Sequence, residues 1–214
     1  MRLMEQAGIE QSISSSAEAI IYDLASGNRW LAEEIEGHPE LLGYVTVNPN
    51  YLELSCEEMD RYYQQPNFVG AKLHCDYSAS PTASERTKRL LEEVARRGKP
   101  LKIHTGGSGT AQALKDAALA HPDWAIIKAH GGGKELAMEF ADAPNIYFEF
   151  AGSRCSSQNI LGALEVLGED RLMFGSDATL LSICSVLGAY RDANLTAEQR
   201  RKVLSANARR VFKL

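Results

Sequence analysis

Short β-favouring runs alternate with helical stretches along the whole chain. The runs are Gln11–Ser16, Leu42–Val47, Phe68–His74, Leu101–His104, Ala125–His130, Ile146–Ala151 and Leu172–Ser176. Between them, apolar residues recur at helical spacing. Ser84–Arg97 offers Ser84 as N-cap, Leu90, Leu91 and Val94 on one face, and a stop at Gly98–Pro100. Ile160, Leu161, Leu164 and Leu167 repeat that logic before the last run, and Thr196 with Gln199 spells a capping box ahead of Val203, Leu204 and Val211. A β-α-β-α order predicts an α/β protein with a parallel sheet covered by helices.

Such a sheet closes into a (β/α)8 barrel of the TIM type or stays open and doubly wound. Polar and ionisable residues close strand after strand, at His74, His104, His130 and Asp177. A barrel collects its site from the ends of several strands in this way, whereas an open sheet concentrates it at one switch point. No glycine-rich dinucleotide fingerprint follows an early strand. The barrel is therefore favoured, with seven predicted strands. No linker or low-complexity tract interrupts the pattern, so residues 1–214 are expected to form a single domain.

Composition narrows the function. A chain of 214 residues with 44% hydrophobic content supports a sizeable core, though a full eightfold barrel typically needs about 250 residues. With 23 basic against 28 acidic residues the net charge is −5, and no basic stripe offers itself to a phosphate backbone, so nucleic acid is not an expected partner. Cys56, Cys75, Cys155 and Cys184 form no C-x-x-C pair and read as reduced, buried thiols. The opening residues resemble no signal peptide and no apolar run is long enough to span a bilayer. The expectation is a cytoplasmic protein without a membrane partner.

One tripeptide pattern carries the chemistry: Lys72-Leu-His74, Lys102-Ile-His104 and Lys128-Ala-His130 each close a strand. Residues two apart share a face, so the histidines are expected at the mouth with the lysines one layer deeper. Lysines there need partners, and Glu149 is a candidate. Imidazoles from neighbouring strands with Asp177 are suitable ligands for zinc or another divalent metal such as manganese. Water acidified by such an ion would be the nucleophile, with Asp177 taking its proton. Lys72 is open to three readings: a carbamylated metal bridge, a contact to a substrate carboxylate, or a buried ion-pair partner. His38 and His121 each precede a proline after a helical run, where a cap or solvent role is expected. Gly106–Gly109 and Gly131–Gly133 read first as tight turns and second as anion cradles.

Six strings resemble, in order, the amidohydrolase-related group of the metal-dependent hydrolase superfamily, which includes decarboxylases of the aminocarboxymuconate-semialdehyde type. They are Gly-Tyr-Val-Thr-Val-Asn-Pro at 43–49, Gly-Ala-Lys-Leu-His at 70–74, Leu-Lys-Ile-His-Thr-Gly at 101–106, Ala-His-Gly-Gly at 129–132, Phe-Gly-Ser-Asp at 174–177 and Ser-Ala-Asn-Ala-Arg-Arg-Val-Phe at 205–212. The resemblance implies His104 as a metal ligand, His130 as the histidine that polarises substrate or binds a second metal, and Asp177 as ligand and general base. Lys72 and His74 are then expected on the substrate side. It further implies a hydrolase or decarboxylase acting on a small, anionic carboxylate or carbonyl compound, in a chain that is open to homo-oligomer formation. The family's first strand ends in a His-x-His pair, and none occurs in this chain; residues 1–10 look like the helix that leads into the family's second strand. Three accounts are open: a shortened chain, a sheet completed by a neighbouring subunit, or a divergent barrel that has lost the usual metal; His74 and Asp76 are candidates to substitute in part for the missing ligands. The rival function is a catalytically silent barrel that serves as a binding or interaction protein.

Overall fold

The computed structural model describes residues 2–107, 109–152, 155–178 and 180–214. In chain order it contains α1 (Arg2–Ala7), β1 (Ser12–Ser14), α2 (Ala17–Ile21), α3 (Leu24–Ile35), β2 (Leu41–Val47), α4 (Leu52–Tyr62), β3 (Phe68–His74) and α5 (Glu85–Arg97). Next come β4 (Leu101–His104), α6 (Thr110–Ala120), β5 (Ile126–Lys128), α7 (Lys134–Met138), β6 (Ile146–Phe150), α8 (Ser157–Leu167), β7 (Leu172–Phe174), α9 (Ile183–Asp192), α10 (Ala197–Arg201) and α11 (Asn207–Phe212). Each predicted strand has its counterpart. The chain divides into two compact units, Met1–Ala117 and Ala118–Leu214.

In the first unit β1 to β4 pair in sequence order, all parallel, with Ser12 opposite Leu41, Val45 opposite Ala71 and His74 opposite His104. Phe68, Ala71, Leu73, Leu90, Val94, Leu101 and Ile103 are buried around them. Helix α5 begins and ends as expected: the Ser84 hydroxyl accepts the Thr87 N–H, and Gly98 closes the helix at a φ of 73°.

Strand β1 is short and pairs β2 only from Leu41 to Gly43. Farther along, the side chain of Asn28 on α3 takes the place that a neighbouring strand would hold. Its Oδ1 accepts the Thr46 N–H at 2.9 Å, and its Nδ2 donates to the Thr46 carbonyl at 3.1 Å and to Glu58 Oε2 at 3.1 Å. Burial pushes the Glu58 carboxyl above the usual carboxylate range, against the lowering effects of Asn28 and Arg61; Glu57 and Asp23 add to the rise. The folded state therefore holds this proton more tightly than the unfolded chain. The associated stability is present below the ordinary glutamate range and is lost as pH rises through the elevated value. Glu58→Gln is expected to be more stable than the parent at neutral pH, with the advantage shrinking to nothing in acid. Urea unfolding at a series of pH values checks this.

In the second unit β5, β6 and β7 pair in parallel, Ile126 opposite Ile146 and Phe148 opposite Leu172. Phe140, Phe148, Phe150, Ile160, Leu172 and Val203 fill its core. Carbonyls at element ends and in turns converge on two side chains. Asn145 Nδ2 donates to the carbonyls of Ala118, His121 and Trp124 at 2.8–3.0 Å. The Arg171 guanidinium donates to those of Phe140, Ala143 and Ile146 at 2.7–2.9 Å.

Some expected faces shift. On α8 the buried residues are Ile160, Ala163 and Leu167, whereas Leu161 is exposed. The Thr196–Gln199 capping box forms, but Lys202–Ala206 is wound as a π-helix. The wider turn changes the helical phase, so Phe212 enters the core while Val211 is only half-buried. All four cysteines are free, as expected, yet only Cys75 is buried and Cys184 is exposed. On α9 the inward stripe is Val186 and Tyr190, and Cys184 lies two residues off it. No helix among the described residues is long and apolar enough to cross a membrane.

Candidate functional site

Strands β3 and β4 run in a register that pairs Lys72 with Lys102 and His74 with His104. Because alternate residues share a face, the lysines lie one step below the histidines, and Lys72 is buried. The two imidazoles stack with centroids 3.8 Å apart and planes 17° from parallel. Asp76 Oδ2 lies 3.3 Å from His104 Nε2. The Tyr77 N–H donates to His74 Nδ1 at 3.4 Å, and the Tyr77 ring meets the His74 ring edge-on at 4.5 Å. One donor atom each from His74, Asp76 and His104 falls within a 4.8 Å group. Cys75, between His74 and Asp76, faces the other way. Its thiol contacts Thr82 at 3.6 Å, Thr82 in turn bonds Thr105, and burial raises the thiol's pKa.

In the second unit β5 ends at Lys128, so His130 lies beyond the strand that the sequence extends through it; β7 likewise ends at Phe174, ahead of Asp177. Both residues leave the extended region for left-handed backbone, at φ 55° and 52°. Such a conformation costs a non-glycine residue roughly 1–2 kcal/mol. His130 is held by several contacts. Its N–H donates to Glu149 Oε2 at 3.4 Å, and its Nδ1 lies 3.2 Å from the Ala151 carbonyl. With Nδ1–H donating there, Nε2 is the nitrogen that keeps a lone pair. A Cβ on Gly152, itself at φ 75°, would sit 2.5 Å from His130 Nδ1, so only glycine fits.

Gly131, Gly132 and Gly133 are crowded by Phe150, Leu136 and Asn159 respectively, which accords with the close-turn reading. In the other glycine stretch, Ser108 lies outside the described residues. His38 pairs with Glu40 at 3.5 Å, and His121 meets Trp124 edge-on at 6.2 Å. Neither belongs to a donor group among the described residues.

The expected site residues thus fall into two sets. His104 and His74 come together in the first unit with Asp76, and His130 and Asp177 stand at strand ends of the second. From the sequence, His74 is expected with substrate, and His74 and Asp76 are expected only as partial substitutes for the absent His-x-His ligands. Their grouping with His104 depends on the β3–β4 register, of which the repeated Lys-x-His spacing was the only trace.

The Amidohydrolase family model matches residues 17–214, and the chain belongs to that family. It is an enzyme of that amidohydrolase type on a TIM-barrel fold, represented here by seven strands. Solved structures of low identity share the fold. A 2,6-dihydroxybenzoate decarboxylase from Rhizobium aligns with a TM-score of 0.77 at 20% identity, covering 99% of this chain and 86% of the other. A dihydroxybenzoic acid decarboxylase from Polaromonas, with bound manganese and 2-nitroresorcinol, gives 0.76 at 20%, covering 100% and 84%. A 5-carboxyvanillate decarboxylase from Novosphingobium aromaticivorans, complexed with manganese, gives 0.80 at 18%, covering 100% and 79%. No curated protein matches the chain in sequence.

Proposed function

We propose that residues 1–214 act as a metal-dependent hydrolase or decarboxylase on a small anionic carboxylate or carbonyl compound. The observation that carries this reading is backbone strain. His130 and Asp177 hold left-handed conformations just past β5 and β7, whereas Ala79, Asn194 and Lys213, the other described non-glycine residues of this kind, lie in turns or at helix ends. Strain of this kind persists where the surroundings over-determine it, and it clusters at functional positions.

The donors fit a divalent ion by their chemistry. An imidazole nitrogen of His104 with a carboxylate oxygen of Asp76 at 3.3 Å suits zinc or manganese. Bound there, such an ion polarises a carboxylate or carbonyl and acidifies water. In the second unit, His130 and Asp177 are the groups suited to taking up or giving back a proton. Buried Lys72, one step below His74, is the lysine expected on the substrate side. The aromatic carboxylates named for the related structures define the first compounds to try.

The test is to strip the protein with chelator, reload it with zinc or manganese, and assay 2,6-dihydroxybenzoate and 5-carboxyvanillate for CO2 release beside a panel of small esters and amides. Metal-dependent turnover that His104→Ala abolishes is expected. Binding without turnover of any compound under either metal sinks the proposal in favour of a silent binding protein, a reading supported by the lack of a His-x-His pair.

A further inference from the structure

The geometry points to a specific ion site: His74, Asp76 and His104 together hold one divalent cation within the first unit. The inference rests on the reading that the enzyme uses a metal, and it moves His74 from the substrate side to the ion. Three observations support it. First, His74 and His104 close adjacent strands in register, so their backbones are fixed by the sheet, and Asp76 stands two residues on in the turn that follows β3. Second, one donor atom from each lies within a 4.8 Å group, and one pair, His104 Nε2 and Asp76 Oδ2, is 3.3 Å apart. Donors that share an ion at about 2.1 Å sit roughly 3–3.5 Å from one another, so one pair is already at that separation. Third, the cluster is open to water. The Asp76 side chain is 66% exposed and that of His104 30%, which leaves room for the water or substrate position that catalytic sites keep open.

Two nitrogens and one carboxylate oxygen are the donor number and type of a three-ligand site for a borderline ion. The set stands in a chain that has no His-x-His pair. The stacked rings do not yet converge, because imidazole lone pairs lie in the ring plane, and rings 17° from parallel with centroids 3.8 Å apart direct them side by side. Loading therefore splays the rings. Turning His74 would break the 3.4 Å hydrogen bond from the Tyr77 N–H to its Nδ1.

Chelator-stripped protein titrated calorimetrically with zinc or manganese is expected to bind one ion per chain at micromolar concentration or tighter. His74→Gln and Asp76→Asn are each expected to weaken it at least tenfold, with circular dichroism confirming that both variants fold. A second measurement needs no variant. Zinc should protect His74 and His104 of the wild-type chain from diethylpyrocarbonate, read by peptide mass spectrometry, while His38 and His121 are modified at unchanged rates. If wild-type protein binds the ion and turns over substrate, but both variants bind as tightly and His74 is not protected, this ligand set is wrong and the metal-dependent function stands. If the wild-type chain binds neither ion, both readings fall.

Discussion

Asp177→Gly is expected to lower turnover by about 10²–10⁴-fold, the usual range for a lost proton-transfer group, while leaving the fold as stable as the parent or up to about 1 kcal/mol more stable. The two effects have opposite signs because Asp177 sits at φ 52°. Glycine adopts left-handed backbone without the Cβ clash that costs other residues roughly 1–2 kcal/mol, and part of that gain is offset by the greater freedom of glycine in the unfolded chain. His130, at φ 55°, is the matched case, but His130→Gly also removes the side chain packed against Gly152 and the Ala151 carbonyl. Its stability should therefore change less favourably than that of Asp177→Gly. Urea midpoints and kcat, measured once a substrate is in hand, check the pair. An Asp177→Gly protein with full activity would remove Asp177 from the chemistry, and one destabilised by more than about 1 kcal/mol would show that the aspartate is held there for structural reasons.

The second large effect is structural. Asn28→Ala is expected to cost about 3–5 kcal/mol. It deletes three hydrogen bonds at once and leaves the Thr46 N–H and carbonyl, together with Glu58, buried without the partner they have now. Asn28→Asp keeps the shape but cannot donate, and it sets a second carboxylate beside Glu58, so a loss of similar size is expected. The readout is the urea midpoint at unchanged m-value. A loss below about 1 kcal/mol in both variants would show that solvent replaces the amide and that the network contributes little.

The strand order and helix caps were legible because they rest on local chemistry. Apolar runs, the Ser84 cap, the Gly98 stop and the Thr196–Gln199 box each work over a few residues. Three features depended on distant parts of the chain. Ala163 rather than Leu161 faces the core, because the packing of the neighbouring elements selects the buried stripe. The π-wound stretch Lys202–Ala206 rotates the next helix, α11, by a fraction of a turn, which no period of 3.6 anticipates. The ends of β5 and β7 were read too long, because left-handed backbone at His130 and Asp177 is imposed by surroundings and not by the residues themselves. Of the candidate site, the identities of His104, His130 and Asp177 came from strand ends and family pattern. The grouping of His74 and Asp76 with His104 came from a sheet register that spacing alone does not contain.

Asn28 has a further consequence, for how this chain meets other molecules. An open strand edge presents unsatisfied donors and acceptors to any extended peptide that passes, including another copy of the same sheet. With Thr46 already engaged by an amide from its own helix, that stretch of β2 offers a passing strand no free pair to bond. A single side chain thus acts as a self-supplied edge guard, closing off backbone groups that α3 already covers.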